Sequence, residues 1–216
     1  RRVLFRSVKQ DGKLTITGAG LNEEVDYGFT QIETITQAAQ KWTNTSYDIL
    51  GKLAKMARAL RKNGTNPDML IVGSDVAEAM NTNEGILKLR NDNFLNMPRP
   101  DSLEDGITYL FQIRSAGIYL DVYEYNEYYV DDSGALVPVI DAGTVIMQSS
   151  RERNMMLFGR VVYLDHRTRD YVAAIGESVP YVVAEEDPPC RKLVLSSRCL
   201  PMPRDNESWY VLKNAA

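Results

Sequence analysis

Apolar residues recur at helical spacing most clearly in one stretch. Ile49, Leu50, Leu53, Met56, Ala57 and Leu60 form a single stripe, while Lys52, Lys55, Arg58, Arg61 and Lys62 take the opposite side and the C-terminal end. Thr45 or Ser46 is expected to cap this helix, and Asp48 to favour its positive first turn. Gly64 supplies a left-handed stop and Pro67 discourages continuation. Met69–Val72 reads as a short buried strand. Gly73 then turns the chain, with Ser74 or Asp75 expected to cap a second helix over Val76–Met80. Residues 81–100, rich in Asn, Pro and charge, read as a surface loop or a short broken helix.

Elsewhere the period is two. Residues 8–28 read as extended chain with turns: Asp11-Gly12 is a hairpin-type turn signal, Leu14–Thr17 alternates, Gly18 and Gly20 end that segment, and Val25–Phe29 resumes. In Ile118–Tyr125, Tyr119, Asp121, Tyr123 and Tyr125 share one parity, and Leu120, Val122 and Glu124 the other. A turn at Asn126-Glu127 leads to Tyr128-Tyr129-Val130. A second turn over Asp131–Gly134 leads back through Leu136–Val139, predicting a meander whose last strand Pro138 confines to an edge. Strands are also expected at Gly143–Met147, Arg160–Leu164 and Tyr171–Ala184, the last interrupted by Gly176 and Pro180. After an acidic turn over Glu185–Pro189, Lys192–Leu195 reads as part of a long strand leading to Trp209–Val211.

Composition narrows what such elements can do. The 216 residues carry 25 basic and 29 acidic groups, a net charge of −4, with no basic tail or stripe of the kind that grips nucleic acid. No run of about 18 apolar residues and no signal-peptide pattern occurs, so a soluble product made in the cytosol is expected. Cys190 and Cys199 are read as free thiols.

Candidate chemistry is sparse. The tyrosine-rich stretch would suit base stacking, but Asp121, Glu124, Glu127, Asp131 and Asp132 would repel phosphate. Framework or protein interface is therefore the favoured reading, because tyrosine combines an apolar ring with a polar tip. Nothing nominates one of these carboxylates as a raised-pKa acid, and residues 131–134 lack the spaced oxygen ligands of a calcium loop. His166, the single histidine, sits among charged residues and reads as a surface group. Gly73 lacks the companions of a phosphate cradle. Catalytic, cofactor and metal residues are expected to be none.

The first residue is Arg, and Arg1–Ser7 looks like a translated sequencing adapter, so the chain is expected to begin partway through its parent protein. From Val8 to Val211 the landmarks fall in a recognisable order: Val25-Asp-Tyr-Gly28, Trp42 ahead of the Asp48 helix, Pro67–Ser74, Tyr125–Gly134, Phe158-Gly159, Asp187-Pro188 and Leu195–Pro203. In that order and spacing the chain resembles the major capsid protein E family of lambda-like tailed phages, which has the HK97-like shell fold. Cys199 departs from the family at the first proline of its Pro-Leu-Pro landmark.

The resemblance implies an α+β HK97-like capsid fold with an axial domain and part of a peripheral domain. It would lack the N-terminal arm, the extended E-loop and the spine helix. Residues 8–45 would be peripheral strands, 46–158 the axial domain, and 159–216 the return to the peripheral domain. The implied role is a major capsid protein in a virion head around double-stranded DNA, assembled in the bacterial cytoplasm. Its partners would be other copies in pentamers and hexamers, a scaffold or protease, a portal and a decoration protein. Contact with DNA would be weak and nonspecific, and no membrane would be involved. Tyr119, Tyr123, Tyr125, Tyr128 and Tyr129 are the expected subunit-interface residues. The alternatives are a scaffold-protease fusion, a cellular compartment shell, a head-completion or tail protein, and a cytosolic α+β enzyme with a substrate cleft.

Overall fold

The structure is a computed structural model describing residues 2–18, 21–92, 102–104, 106–115, 117–131, 133–165, 168–186 and 189–216. Gly20, residues 93–100, Asp132, His166, Asp187 and Pro188, on which parts of the sequence reading fell, lie outside the described residues. Two compact units emerge: residues 2–152 with 205–216, and residues 153–204.

The first unit begins with helix α1 (Arg2–Asp11), hairpin β1 (Lys13–Gly18) and β2 (Leu21–Asp26), and the short β3 (Ile32–Thr34). Helix α2 (Ile49–Lys62), β4 (Met69–Val72), α3 (Ser74–Thr82) and α4 (Glu84–Asp92) follow. Then come β5 (Ser102–Glu104), β6 (Ile107–Ser115), β7 (Ile118–Tyr125), β8 (Tyr128–Val130), β9 (Leu136–Pro138) and β10 (Val145–Gln148). The second unit contains β11 (Met155–Phe158), β12 (Arg160–Asp165), β13 (Asp170–Ile175), β14 (Val179–Glu186), β15 (Pro189–Ser196) and β16 (Cys199–Met202). Finally β17 (Trp209–Lys213) completes the first unit.

A seven-stranded mixed sheet in the order β3-β17-β10-β4-β7-β6-β5 organises the first unit. Its β10 and β4 strands carry Val145, Met147, Leu70 and Val72, which cluster with Leu120 and Val122 of β7. The α2 stripe of Ile49, Leu53, Met56, Ala57 and Leu60 joins the same core, as do Trp42, Val76, Met80 and Ile86. Burial at period 3.6 in the helix meets burial at period two in β7, the arrangement that removes most apolar surface from water.

Several sequence expectations need correction. Residues 8–11 are helical, because α1 spans Arg2–Asp11. Leu4, Phe5 and Val8 recur at helical spacing, a signal lost when the first seven residues are read as adapter-derived. Asp11-Gly12 joins that helix to β1: Gly12 has φ +68° and donates its amide to the Val8 carbonyl at 2.9 Å. The α2 cap is Asp48, which accepts from the Gly51 amide at 2.8 Å, whereas Ser46 turns back on Asn44. In α3 the cap position is Gly73, and Ser74 is already helical. After α3, the Asn83 side-chain oxygen accepts from the first amides of α4, while its amide group donates to the Thr45 and Tyr47 carbonyls ahead of α2.

The expected meander is also broken. Strands β8 and β9 form their own two-stranded ribbon, in which Pro138 faces Tyr128. β17 belongs to the large sheet, pairing with β10 and β3, so the tail beyond 204 does not continue with residues 159–204. β15 does not run on as one long strand; it folds back on β14, and β16 pairs separately with β11.

Candidate assembly surfaces

Among the described residues, two groups of strands leave several large side chains in water. The first does so on the face of the sheet opposite the α2 core. Tyr119, Asp121 and Tyr123 lie on the non-core parity of β7, as their alternation with buried Ile118, Leu120 and Val122 requires. On neighbouring β6 a register shift between Tyr109 and Phe111 inserts Leu110. This bulge places both Tyr109 and Gln112 on the tyrosine side, although they are three residues apart.

Tyr109 and Tyr123 meet edge to face with ring centroids 5.3 Å apart. Asp121 accepts from Gln112 Nε2 at 2.6 Å and from the Tyr109 hydroxyl at 3.5 Å. Burial, followed by the Asp121 charge, pushes the Tyr109 hydroxyl up to about 12. Burial also raises Tyr123, helped by Asp121 and Asp68. Arg114 lies 5.0 Å from the Tyr119 ring centroid. Tyr125 donates to Glu127 at 2.5 Å. Beyond it, the β8–β9 ribbon leaves Tyr128, Val130 and Leu136 exposed, while Tyr129 is half-buried. Tyr119 and Tyr128 are each about half exposed, at 49% and 52%. The five tyrosines singled out in the sequence thus form two neighbouring groups: three on β7 and two on a detached ribbon.

The second surface was missed. In residues 153–204 every strand has a partner, but in three separate antiparallel pairs: β11–β16, β12–β13 and β14–β15. A half-solvated antiparallel strand should alternate apolar residues inward with polar residues outward. Here the exposed parity is itself apolar. On β12–β13 it carries Val162, Leu164, Tyr171 and Ile175; on β14–β15 it carries Val182, Leu193 and Leu195. Tyr171 is 80% exposed and Leu193 69%. The covered parity includes Tyr163 and Tyr181, stacked at 4.9 Å with planes 9° apart. The signal was present as strands in which both parities are hydrophobic, a pattern that periodicity alone assigns to burial on both faces.

Among the described residues, other candidates do not gather into a chemical centre. A polar cavity of about 410 Å³ is lined by Thr65, Asn66, Asp68, Ser149, Arg151, Glu152 and Ser208. Asp68 is occupied there, accepting from the Ser150 amide at 2.5 Å and hydroxyl at 2.6 Å. Asp131 caps its own turn through Ser133 and Ala135, and these hydrogen bonds, the Ser133 hydroxyl foremost, hold its carboxyl below the usual range. Cys190 and Cys199 are free: the first faces Glu185 across its hairpin, the second Phe158. Among the described residues no group of three or more His, Cys, Asp or Glu side chains is placed to hold a metal ion.

Comparison with known proteins decides the class. The family model for phage major capsid protein E matches residues 6–214. The chain belongs to this family. A crystal structure of a prophage protein from E. coli CFT073, assigned as a capsid protein, superposes with a TM-score of 0.73 at 16% identity. It covers 98% of this chain and 61% of that one. A phage-related protein from Bordetella bronchiseptica RB50 superposes with a TM-score of 0.52 at 10% identity, covering 99% of this chain and 61% of that one. No curated protein matches the chain in sequence. This member of the capsid family therefore has an α+β capsid-like fold and spans about three-fifths of the length of the structures it matches.

Proposed function

We propose that the chain is a structural subunit of a phage head shell enclosing double-stranded DNA and assembled inside a bacterial host. The observation that carries this reading is family membership over residues 6–214. The exposed apolar parity of the β12–β13 and β14–β15 hairpins supports it independently. Apolar patches beyond a few hundred Å² are rare on monomers and mark contact surfaces. A shell needs no reaction centre; it needs surfaces that repeat and close, where many modest contacts hold the lattice.

On this reading the seven-stranded sheet with α2, α3 and α4 corresponds to the axial domain, and the hairpins of residues 153–204 to peripheral-domain strands. Pentamers and hexamers of the chain, a scaffold or protease, a portal and a decoration protein are the proposed partners. Tyr119, Tyr123, Tyr125, Tyr128 and Tyr129 are proposed as interface residues because they combine ring area with hydroxyls at a wet boundary. The acidic setting of Asp121, Glu127 and Asp131 suits weak contact with enclosed DNA rather than capture.

Sedimentation velocity and electron microscopy of the purified chain at rising concentration test the role. Five- or six-fold rings, curved sheets or closed particles are expected. A compact monomer at every concentration would overturn the reading, and one fixed ring that never extends into a lattice would indicate a head-completion protein instead. Changing Tyr119, Tyr123 and Tyr125 together to Ser should lower particle yield more than Ser substitutions at equally exposed polar sites; equal yields would remove the tyrosines from the interface.

A further inference from the structure

The two units differ in charge as well as in architecture. Residues 153–204 carry 8 basic and 6 acidic groups, whereas the rest of the chain carries 17 basic and 23 acidic groups. The unit of residues 153–204 is thus net positive and the sheet unit clearly negative. The apolar parity of each long hairpin also contains an exposed arginine: Arg160 beside Val162 and Leu164, and Arg191 beside Leu193 and Leu195. By contrast, Lys192 on the other parity is already engaged by Glu185 at 2.5 Å. On the sheet unit, the tyrosine face presents Asp121 among Tyr109, Tyr119 and Tyr123, with Arg114 over the edge ring of Tyr119.

We propose that the apolar hairpin face of one copy seats on the tyrosine-carboxylate face of a second copy, making a head-to-tail contact. The inference rests on the shell reading and names which surfaces meet. Leucine, valine and isoleucine supply area, tyrosine rings receive it, and the two arginines find the Asp121 carboxylate and ring faces. Arginine binds both more favourably than lysine, through paired N–H donors and a planar cation. The seven apolar side chains, four on β12–β13 and three on β14–β15, leave on the order of 800 Å² exposed in total, so each hairpin offers about half of one partner's share of a standard interface. Head-to-tail contacts between unlike faces generate rings or extended lattices, whereas a face pairing with itself stops at a dimer. Opposite net charge on the two units favours the first arrangement, since Arg160 and Arg191 of like hairpins would repel on self-pairing.

The test uses two variants of the full chain. Leu193→Ser with Leu195→Ser removes the hairpin face, and Tyr119→Ser with Asp121→Lys removes the sheet face. All four side chains are exposed or half-buried, and circular dichroism with thermal melting checks that each variant folds. In sedimentation velocity each variant alone should associate about 100-fold more weakly than the parent chain, as expected for two lost anchors. Mixing the two variants in equal amounts should restore one-to-one dimers that cannot grow, because each contributes its intact face. Mixtures that remain monomeric, variants that associate like the parent, or a parent chain that stays monomeric would each overturn the proposal. Particles formed normally by both variants would overturn this contact while leaving the shell reading in place.

Discussion

Asn83 connects three segments through one small side chain, and its loss should be felt far beyond its size. The residue is 1% exposed. Its Nδ2 donates to the Thr45 carbonyl at 3.0 Å and the Tyr47 carbonyl at 2.9 Å. Its Oδ1 accepts from the amides of Gly85 and Ile86 at 3.0 and 3.3 Å, satisfying the start of α4. Asn83→Ala therefore strands the two amides opening α4 and takes one of two donors from each carbonyl ahead of α2, since Thr45 and Tyr47 also accept from the Glu84 and Ile49 amides. Each stranded amide costs about 1 kcal/mol at the low end and the lost carbonyl bonds add a smaller share, so the variant should lose about 2–3 kcal/mol. Asp48→Ala is the internal comparison. It removes one exposed cap bond and should cost about 1 kcal/mol. Urea unfolding followed by tryptophan fluorescence measures both, since Trp42 and Trp209 are buried in the same unit as Asn83. A loss below 1 kcal/mol for Asn83→Ala, or a larger loss for Asp48→Ala, would refute the argument that this side chain satisfies both helix starts.

Lys9 is inserted beside Glu152 at 3.4 Å and Gln148, with its ammonium 5.3 Å from the Trp209 ring centroid. Lys9→Met alone should cost about 3 kcal/mol by leaving a buried carboxylate, whereas adding Glu152→Met should recover part of that loss in a double-mutant cycle. Burial lowers the Lys9 pKa, so the folded state releases that proton before the unfolded chain does. The resulting penalty is full at neutral pH and relieved as pH rises toward 10.5, a slope that Lys9→Met should remove from urea titrations. Tyr109 acts oppositely: its folded pKa of about 12 exceeds the ordinary 10, so stability should fall between pH 10 and 12, and Tyr109→Phe should flatten that fall. A Cβ on Gly73 would lie 2.5 Å from the carbonyl oxygens of Asp141 and Ala142, so Gly73→Ala should cost about 2 kcal/mol despite ordinary backbone angles. A melting temperature equal to the parent's would show that the 141–142 turn yields freely.

The sequence by itself determined the elements in which one side chain or one period dominates. The α2 stripe, the left-handed stop at Gly64, the buried Met69–Val72 strand and the outward parity of Tyr119, Asp121 and Tyr123 all follow from local geometry. Residues 3.6 or two positions apart must share a face whatever the rest of the chain does. The ordered landmarks also gave the family, which the match over residues 6–214 then established.

Only the tertiary structure decided which strands became neighbours. No local pattern indicates that β17 pairs antiparallel with β10 and parallel with β3, or that β8 and β9 leave the sheet after β7. Nor could it separate strands buried on both faces, such as β10, from hairpins whose second apolar face stands in water, such as β14–β15. Pairing depends on hydrogen bonds and packing between residues far apart in the chain, so alike apolar runs acquire different surroundings. That difference in surroundings left seven apolar side chains of two hairpins in water.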